Sequence, residues 1–511
     1  MKLTIQHPYL VFPVNTEKSM KKLLFRLGNE LVYESDIRLD PVSPDFYAYL
    51  DVARFTGKEL TLSVEPEMAL SFREADSIDR PDLYREAFRP RYHFTEKNGW
   101  HNDPNGLVRD AEGAYHMFYQ LNPACPQWGN MHWGHAVSSD LIRWEQKDIA
   151  LFPDTFGTMY SGSGLLDKDN AAGFGKDALL FYYTAAGGGN LRSEGQPYTQ
   201  CLAYSSDNGK TFVKYENNPV IRHIEAANRD PKIVWCDELS RYALALYLDG
   251  NTYAILTTTD MKHFDMLQTL VLPNDSECPD FYPMTADDGT RHWVYSGASA
   301  KYLVGNFHDG KFVPEQEVRQ MHEGSEGYAA QTYSTLPDGR RINVAWQHIR
   351  FPDNMPFFSQ MSLPVVHTLK KKGSDYVLYA QPAEEVDSLR LSPLAVEKTE
   401  NGCASVLSDA CTELTVSLPA EGGEVFLNML GNTVVFDRTR MELRTGDYRI
   451  PTEAENGRIT VRLYWDICSL EVFAGPEYAC FRVISDENLH KITLTGDARA
   501  ELSGWKLARV F

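Results

Sequence analysis

Ser138-Ser139-Asp140-Leu141-Ile142-Arg143-Trp144 sets two hydroxyls, an aspartate and an aromatic residue in a fixed order. The order returns as Ser205-Ser206-Asp207 before Phe212, as Thr258-Thr259-Asp260 before Phe264 and, more loosely, as His308-Asp309-Gly310 before Phe312. The four aspartates follow one another at intervals of 67, 53 and 49 residues. That period, about 50 to 60 residues, is a little above the repeat of four-stranded propeller blades. In each unit the aspartate suits a hairpin turn, where its carboxylate bonds the turn backbone, and the aromatic residue suits packing between blades. From about Arg89 to about Lys372 the chain holds about 57 residues per unit if there are five units, so a five-bladed β-propeller is expected.

Working outward, the rest of the chain also alternates with the period of strands. Ile459, Val461, Leu463 and Trp465 interleave with Thr460, Arg462 and Tyr464, and Leu60, Leu62 and Val64 with Thr61, Ser63 and Glu65, which sets the large apolar side chains on one face. The fold class expected is all-β: a small N-terminal β domain over 1–88, the propeller over 89–375 and a C-terminal β-sandwich over 376–511. The Pro- and charge-rich stretch from Asp76 to Pro90 reads as a linker or strap between the first two.

With 43% hydrophobic, 12% aromatic and 23% charged residues, the 511-residue chain has the make-up of a folded globular protein. Its net charge of −20 repels phosphate backbones and anionic lipid, which argues against nucleic-acid and membrane-surface roles and for a neutral or cationic partner. No window approaches the 18 apolar residues of a membrane helix. Met1 to Leu10 lacks a basic segment followed by an apolar one, so a cytoplasmic protein is expected, or an extracellular or periplasmic one if the chain has been trimmed. The eight cysteines form no Cys-x-x-Cys pair and read as mostly buried thiols.

Three acids stand in turns stiffened by proline: Asp103 in Asn102-Asp103-Pro104-Asn105-Gly106, Asp230 in Arg229-Asp230-Pro231, and Glu277 in Glu277-Cys278-Pro279-Asp280. Each alone is ordinary turn chemistry. Their separations of 127 and 47 residues amount to about two units and then just under one, so they suit equivalent inner positions on different blades, facing the funnel where propellers bind ligands. Carboxylates converging among Trp, Asn and Gln suggest sugar chemistry, since glycoside cleavage uses one carboxylate as nucleophile and one carboxyl as acid. A metal site is not indicated, because His101, His132 and His135 lack ligand-like spacing and read as turn and core residues.

The ordered motifs from about Arg89 to Phe511 resemble glycoside hydrolase family 32, the invertases, inulinases and levanases. The resemblance implies a five-bladed propeller followed by a sandwich, with Asp103 as nucleophile, Asp230 as transition-state stabiliser and Glu277 as acid/base. It also implies sugar binding by Asn102, Gln120, Trp128 and Ser161; Arg229 and Trp346 are taken as substrate-binding too, Arg229 also orienting Asp230, and Trp100, Trp128 and Trp346 could wall the pocket. Ser469-Leu470-Glu471-Val472-Phe473 resembles a packing strand of the family's sandwich. Some positions depart from the family pattern. Tyr160, also taken as substrate-binding, stands where Phe is usual; Gly324-Ser325-Glu326-Gly327-Tyr328-Ala329-Ala330 is a loose version of a family stretch; Val365 stands where Arg is common. The implied activity is retaining hydrolysis of β-D-fructofuranosides (fructans, fructo-oligosaccharides or sucrose) without cofactor or metal. The alternatives are fructosyl transfer from the same intermediate and a non-catalytic fructan-binding protein. Oligomeric state, the preferred fructan and the role of residues 1–88 are not legible.

Overall fold

The structure is a computed structural model describing residues 1–334, 336–352 and 354–511. It is all-β: among the described residues the helical pieces are the 3-10 turns Ala53–Phe55, Leu191–Ser193 and Glu384–Leu389.

Between Gly99 and Pro382 five antiparallel sheets follow in chain order. Their first strands are Gly99–Arg109, Thr158–Asp167, Arg229–Cys236, Asp280–Thr285 and Gly327–Thr332. Each first strand packs against the first strand of the next sheet, and the fifth packs against the first. The ring closes where Phe357–Phe358 runs parallel to Gly99 and Trp100 and the Gly99 N–H donates to the Pro356 carbonyl at 2.7 Å. Inner strands approach closely: a Cβ on Gly164 would lie 2.6 Å from the Gly106 carbonyl oxygen, a distance only glycine permits.

The repeated sequence markers fall at one topological position, the turn between third and fourth strands. Asp140 accepts from the backbone N–H groups of Ile142 and Arg143, Asp207 from Lys210 and Thr211, and Asp260 from Lys262 and His263. The aromatic residue of each unit packs toward the preceding sheet. Phe212 meets Phe118 of the first sheet at 5.4 Å, Phe264 meets Tyr182 of the second at 5.8 Å, and Trp144 shares a cluster with Val344 and Met361 beside the fifth sheet. The fifth sheet turns instead through Gly373, at φ 64°, and its last strand, Asp375–Pro382, runs past the boundary expected at 375. Without the aspartate marker, that hairpin read as the end of a module.

Residues 1–75 form two small sheets around Leu10, Phe12, Leu23, Phe25, Leu60 and Leu62, a core that also takes in Ala124 and Cys125 from the loop between the second and third strands of the ring's first sheet. The stretch after it is more than a linker. Arg89, only 1% exposed, donates through Nε to Glu86 at 3.0 Å and through Nη1 to the Glu96 carbonyl at 2.6 Å. Residues beyond Glu384 form two facing sheets with a core that includes Leu414, Val416, Leu427, Leu463, Trp465 and Leu494. Ile459, Val461, Leu463 and Trp465 are buried there. Tyr464, on the opposite face, is buried too, because the sheet's back lies on Leu363 and Val365 of the ring and on Tyr92 just before it. At that junction His93 bridges Asp466 Oδ2 (2.9 Å) and Glu471 Oε1 (2.8 Å), all three side chains fully buried. All eight cysteines are buried and free.

Candidate active site

Three of the five first strands break register where the site residues stand: between Tyr160 and Gly162, between Arg229 and Lys232, and between Tyr328 and Gln331. A fourth, the first strand, shifts between His101 and Pro104, beside Asp103. Bulges bend the strand and re-aim its side chains, and here they turn a polar group from each of four sheets toward a shared centre, while Glu277 reaches it from the segment just before the fourth sheet, whose first strand keeps its register. Asp230 (φ 65°), Glu277 (φ 60°) and Cys278 (φ 35°) all hold left-handed backbone. For non-glycine residues this conformation is strained and persists only where surrounding contacts impose it. Pro231 and Pro279 lock the chain immediately beyond.

The contacts form one chain of donors and acceptors. Ser161 Oγ donates to Asp103 Oδ2 at 2.6 Å. The Cys278 thiol lies 3.6 Å from Asp103 Oδ2 and 3.5 Å from Asp230 Oδ2, and the Cys278 backbone N–H donates to Asp230 Oδ2 at 3.0 Å. Arg229 places Nε 3.8 Å from Asp230 Oδ2 and donates through Nη2 to Glu277 Oε1 at 2.6 Å. The Tyr328 hydroxyl donates to Glu277 Oε2 at 2.7 Å. Beneath, Thr184 Oγ1 accepts the Asp230 N–H at 2.9 Å and donates to Gln200 Oε1 at 2.6 Å.

Burial separates the acids. The Asp230 side chain is 4% exposed and that of Glu277 33%, so one lies on the floor and the other at the opening. Burial pushes the Asp230 carboxyl up to about 7; Arg229 and the Cys278 amide pull against this, and Asp103 and Glu277 add like charge. Asp103 is also raised by burial, opposed by hydrogen bonds from Ser161 and Asn102 and reinforced by Glu277.

Other candidates surround this centre. Asn102 Oδ1 accepts the Trp100 indole N–H at 2.6 Å. Tyr160 is flanked edge-on by Trp128 at 6.1 Å and Tyr198 at 5.6 Å. Trp128 is 58% exposed on the rim, apart from the acids. Gln120 is buried on the second strand of the first sheet, its Nε2 without a partner among the described residues. Trp346 lies behind the opening, bonded to Ser359 Oγ at 2.6 Å, with its ring 5.7 Å from Trp100 and 6.3 Å from Tyr328. The histidines are core residues: His101 sits between Phe94 and Tyr119, His132 meets the Tyr33 hydroxyl at 3.2 Å, and His135 meets His116 at 3.0 Å. Sequence reasoning did not pick out Tyr328 or Cys278 as site residues. The available signal for Tyr328 was its place, one unit beyond Glu277 in the repeat.

The three-acid centre in a ring of sheets belongs to a known class. The glycosyl hydrolases family 32 N-terminal domain matches residues 93–382, and the chain belongs to that family. It is 31% identical over 467 residues to a levanase of Bacillus subtilis, covering 80% of this chain and 67% of the levanase. It is likewise 31% identical over 360 residues to an extracellular exo-inulinase of Aspergillus awamori, covering 60% of this chain and 66% of that one. The crystal structure of exo-inulinase from Aspergillus awamori superposes with a TM-score of 0.73 at 25% identity, over 85% of this chain and all of the other.

Proposed function

We infer that the five sheets are the blades of one propeller and that the chain hydrolyses β-D-fructofuranosides with retention at the anomeric carbon. Asp103 attacks C2 of the fructosyl unit. Glu277 protonates the departing glycosidic oxygen, and the C2–O bond breaks to leave a fructosyl-enzyme ester. Water then attacks C2, giving up a proton to Glu277, and releases fructose and free Asp103. Asp230 holds ring hydroxyls more tightly as oxocarbenium character develops, with Arg229 fixing its orientation. Fructans, fructo-oligosaccharides and sucrose are the substrate class, in keeping with the levanase and exo-inulinase among the relatives.

The observation that carries this reading is one connected cluster in which Asp103 and Glu277 are both partly exposed while Asp230 lies buried beneath them. Glu277, partly exposed and gripped from two sides by Arg229 and Tyr328, is where a leaving group can reach a proton. Asp103 is likewise partly exposed, so an anomeric carbon can reach it, and its carboxylate is oriented by the Ser161 hydroxyl. The test is fructose release from sucrose and from inulin-type and levan-type oligosaccharides by wild type, Asp103→Ala and Glu277→Ala. Both variants lose activity by about three orders of magnitude or more while keeping wild-type melting behaviour. Activity retained by Asp103→Ala would falsify its assignment as nucleophile.

A further inference from the structure

The N-terminal module does not sit apart from the candidate active site. A cavity of about 490 Å³ opens between Thr16, Glu17 and Phe46 of that module and Trp100, Trp128 and Phe358 of the ring. A second, of about 520 Å³, continues from it along the module past Tyr47, Tyr49 and Arg73, and the two share Phe46, Asn354 and Met355. Each has the size of a small-molecule site, about 300 to 1,000 Å³, and together they form a groove leading away from the funnel.

The groove and the funnel have a wall in common. The Trp100 indole bonds Asn102, the neighbour of Asp103. The Trp128 ring meets Tyr160, the neighbour of Ser161. The N-terminal module also fixes the loop that carries Trp128. Asn130 donates to the Asp36 carbonyl and accepts the Asp36 N–H, both at 2.7 Å, and Arg38 Nε donates to Gln127 at 3.2 Å. Trp128 (58% exposed) and Tyr47 (45% exposed) leave aromatic faces open along the groove. The exposed Glu17 carboxylate has no ion-pair or hydrogen-bond partner for its side chain among the described residues. Aromatic faces with polar groups between them suit the C–H faces and hydroxyls of a neutral sugar chain.

Resting on the fructosidase reading above, we propose that residues 1–75 complete the leaving-group side of the site, and that the groove holds the sugar units of a β-fructan beyond the one being released. A disaccharide reaches only the start of this groove; longer chains lie along it. The module is then a determinant of chain-length preference.

The experiment compares kcat/KM on sucrose with that on inulin-type and levan-type oligosaccharides of increasing length for wild type, Glu17→Ala, Tyr47→Ala and the double variant. Both side chains are solvent-exposed, so truncation leaves the core intact. Wild-type kcat/KM should rise with chain length, and the double variant should lose about tenfold on the longest chains while staying within about twofold of wild type on sucrose. A wild type that cleaves sucrose with no chain-length dependence overturns the proposal, as do variants with the wild-type length profile or a loss shared equally by sucrose. A wild type that releases fructose from none of these sugars overturns the fructosidase reading, and this proposal with it.

Discussion

Asp230→Asn should make the protein more stable while abolishing its activity. The Asp230 side chain is 4% exposed, and burial lifts its pKa from 3.8 to about 7. Between those values the folded chain keeps a proton that the unfolded chain releases. Stability therefore falls as pH rises through this window, and above about 7 the whole cost of burying the charge is present. A shift of about three units at 1.36 kcal/mol each sets a ceiling of about 4 kcal/mol. A side-chain amide at 230 removes that cost at every pH and still offers an oxygen to the Cys278 N–H. It also removes the charge facing Arg229, whose bond to Glu277 remains, so the expected gain at pH 8 is about 2 kcal/mol. Urea unfolding at pH 8, 6.5 and 4.5 reads this directly: the variant's advantage should be largest at pH 8 and shrink toward zero at pH 4.5. An advantage of equal size at all three values, or none at pH 8, would show that the buried carboxylate is not what destabilises the site.

Two further outcomes follow from other contacts. Tyr328→Phe removes the 2.7 Å hydrogen bond to Glu277 and should lower kcat on fructosides about tenfold, since bonds to charged groups contribute about 1.5 to 3 kcal/mol, with melting temperature little changed. At the junction of ring and sandwich, burial lowers the His93 pKa, but its bonds to Asp466 and Glu471 outweigh this and raise it to about 9. That stabilisation is fully present below the unfolded value of about 6.5 and is lost as pH rises through about 9; His93→Ala should therefore cost about 3 kcal/mol at pH 6 in urea unfolding and less at pH 9.5.

What could be read from the sequence was local chemistry. An aspartate that bonds its own turn leaves a mark within five residues, so the hairpins at Asp140, Asp207 and Asp260 were visible and their spacing gave the repeat. The fifth sheet turns on Gly373, with no such mark, and its last strand was assigned to the next module. The three acids were legible because proline fixes the backbone beside each of them. Tyr328 was not, since its role depends on Glu277, 51 residues away, and on a bulge that no local pattern announces. The His93–Asp466 bond joins residues 373 positions apart. Asp76 to Pro90 read as a linker or strap, yet Arg89 is buried there because Glu86 and the Glu96 carbonyl satisfy its guanidinium.

The arrangement of the acids follows from the ring itself. Three of the carboxyls of a chain carrying −20 overall gather in one funnel, where the charges of Asp103 and Glu277 add to the rise at Asp230. The sheets that hold them are the first, third and fourth, and a neutral or cationic donor stands at each interval. Ser161 of the second sheet binds Asp103, and the Cys278 thiol lies between Asp103 and Asp230. Arg229 lies between Asp230 and Glu277, and Tyr328 of the fifth sheet covers the far side of Glu277. Among the described residues, no hydrogen bond joins one of these carboxyls directly to another. Each acid thus has its own donors, and Asp230 lies deeper than the other two. Removing the deepest of the three charges, that of Asp230, should therefore be felt first as a gain in stability.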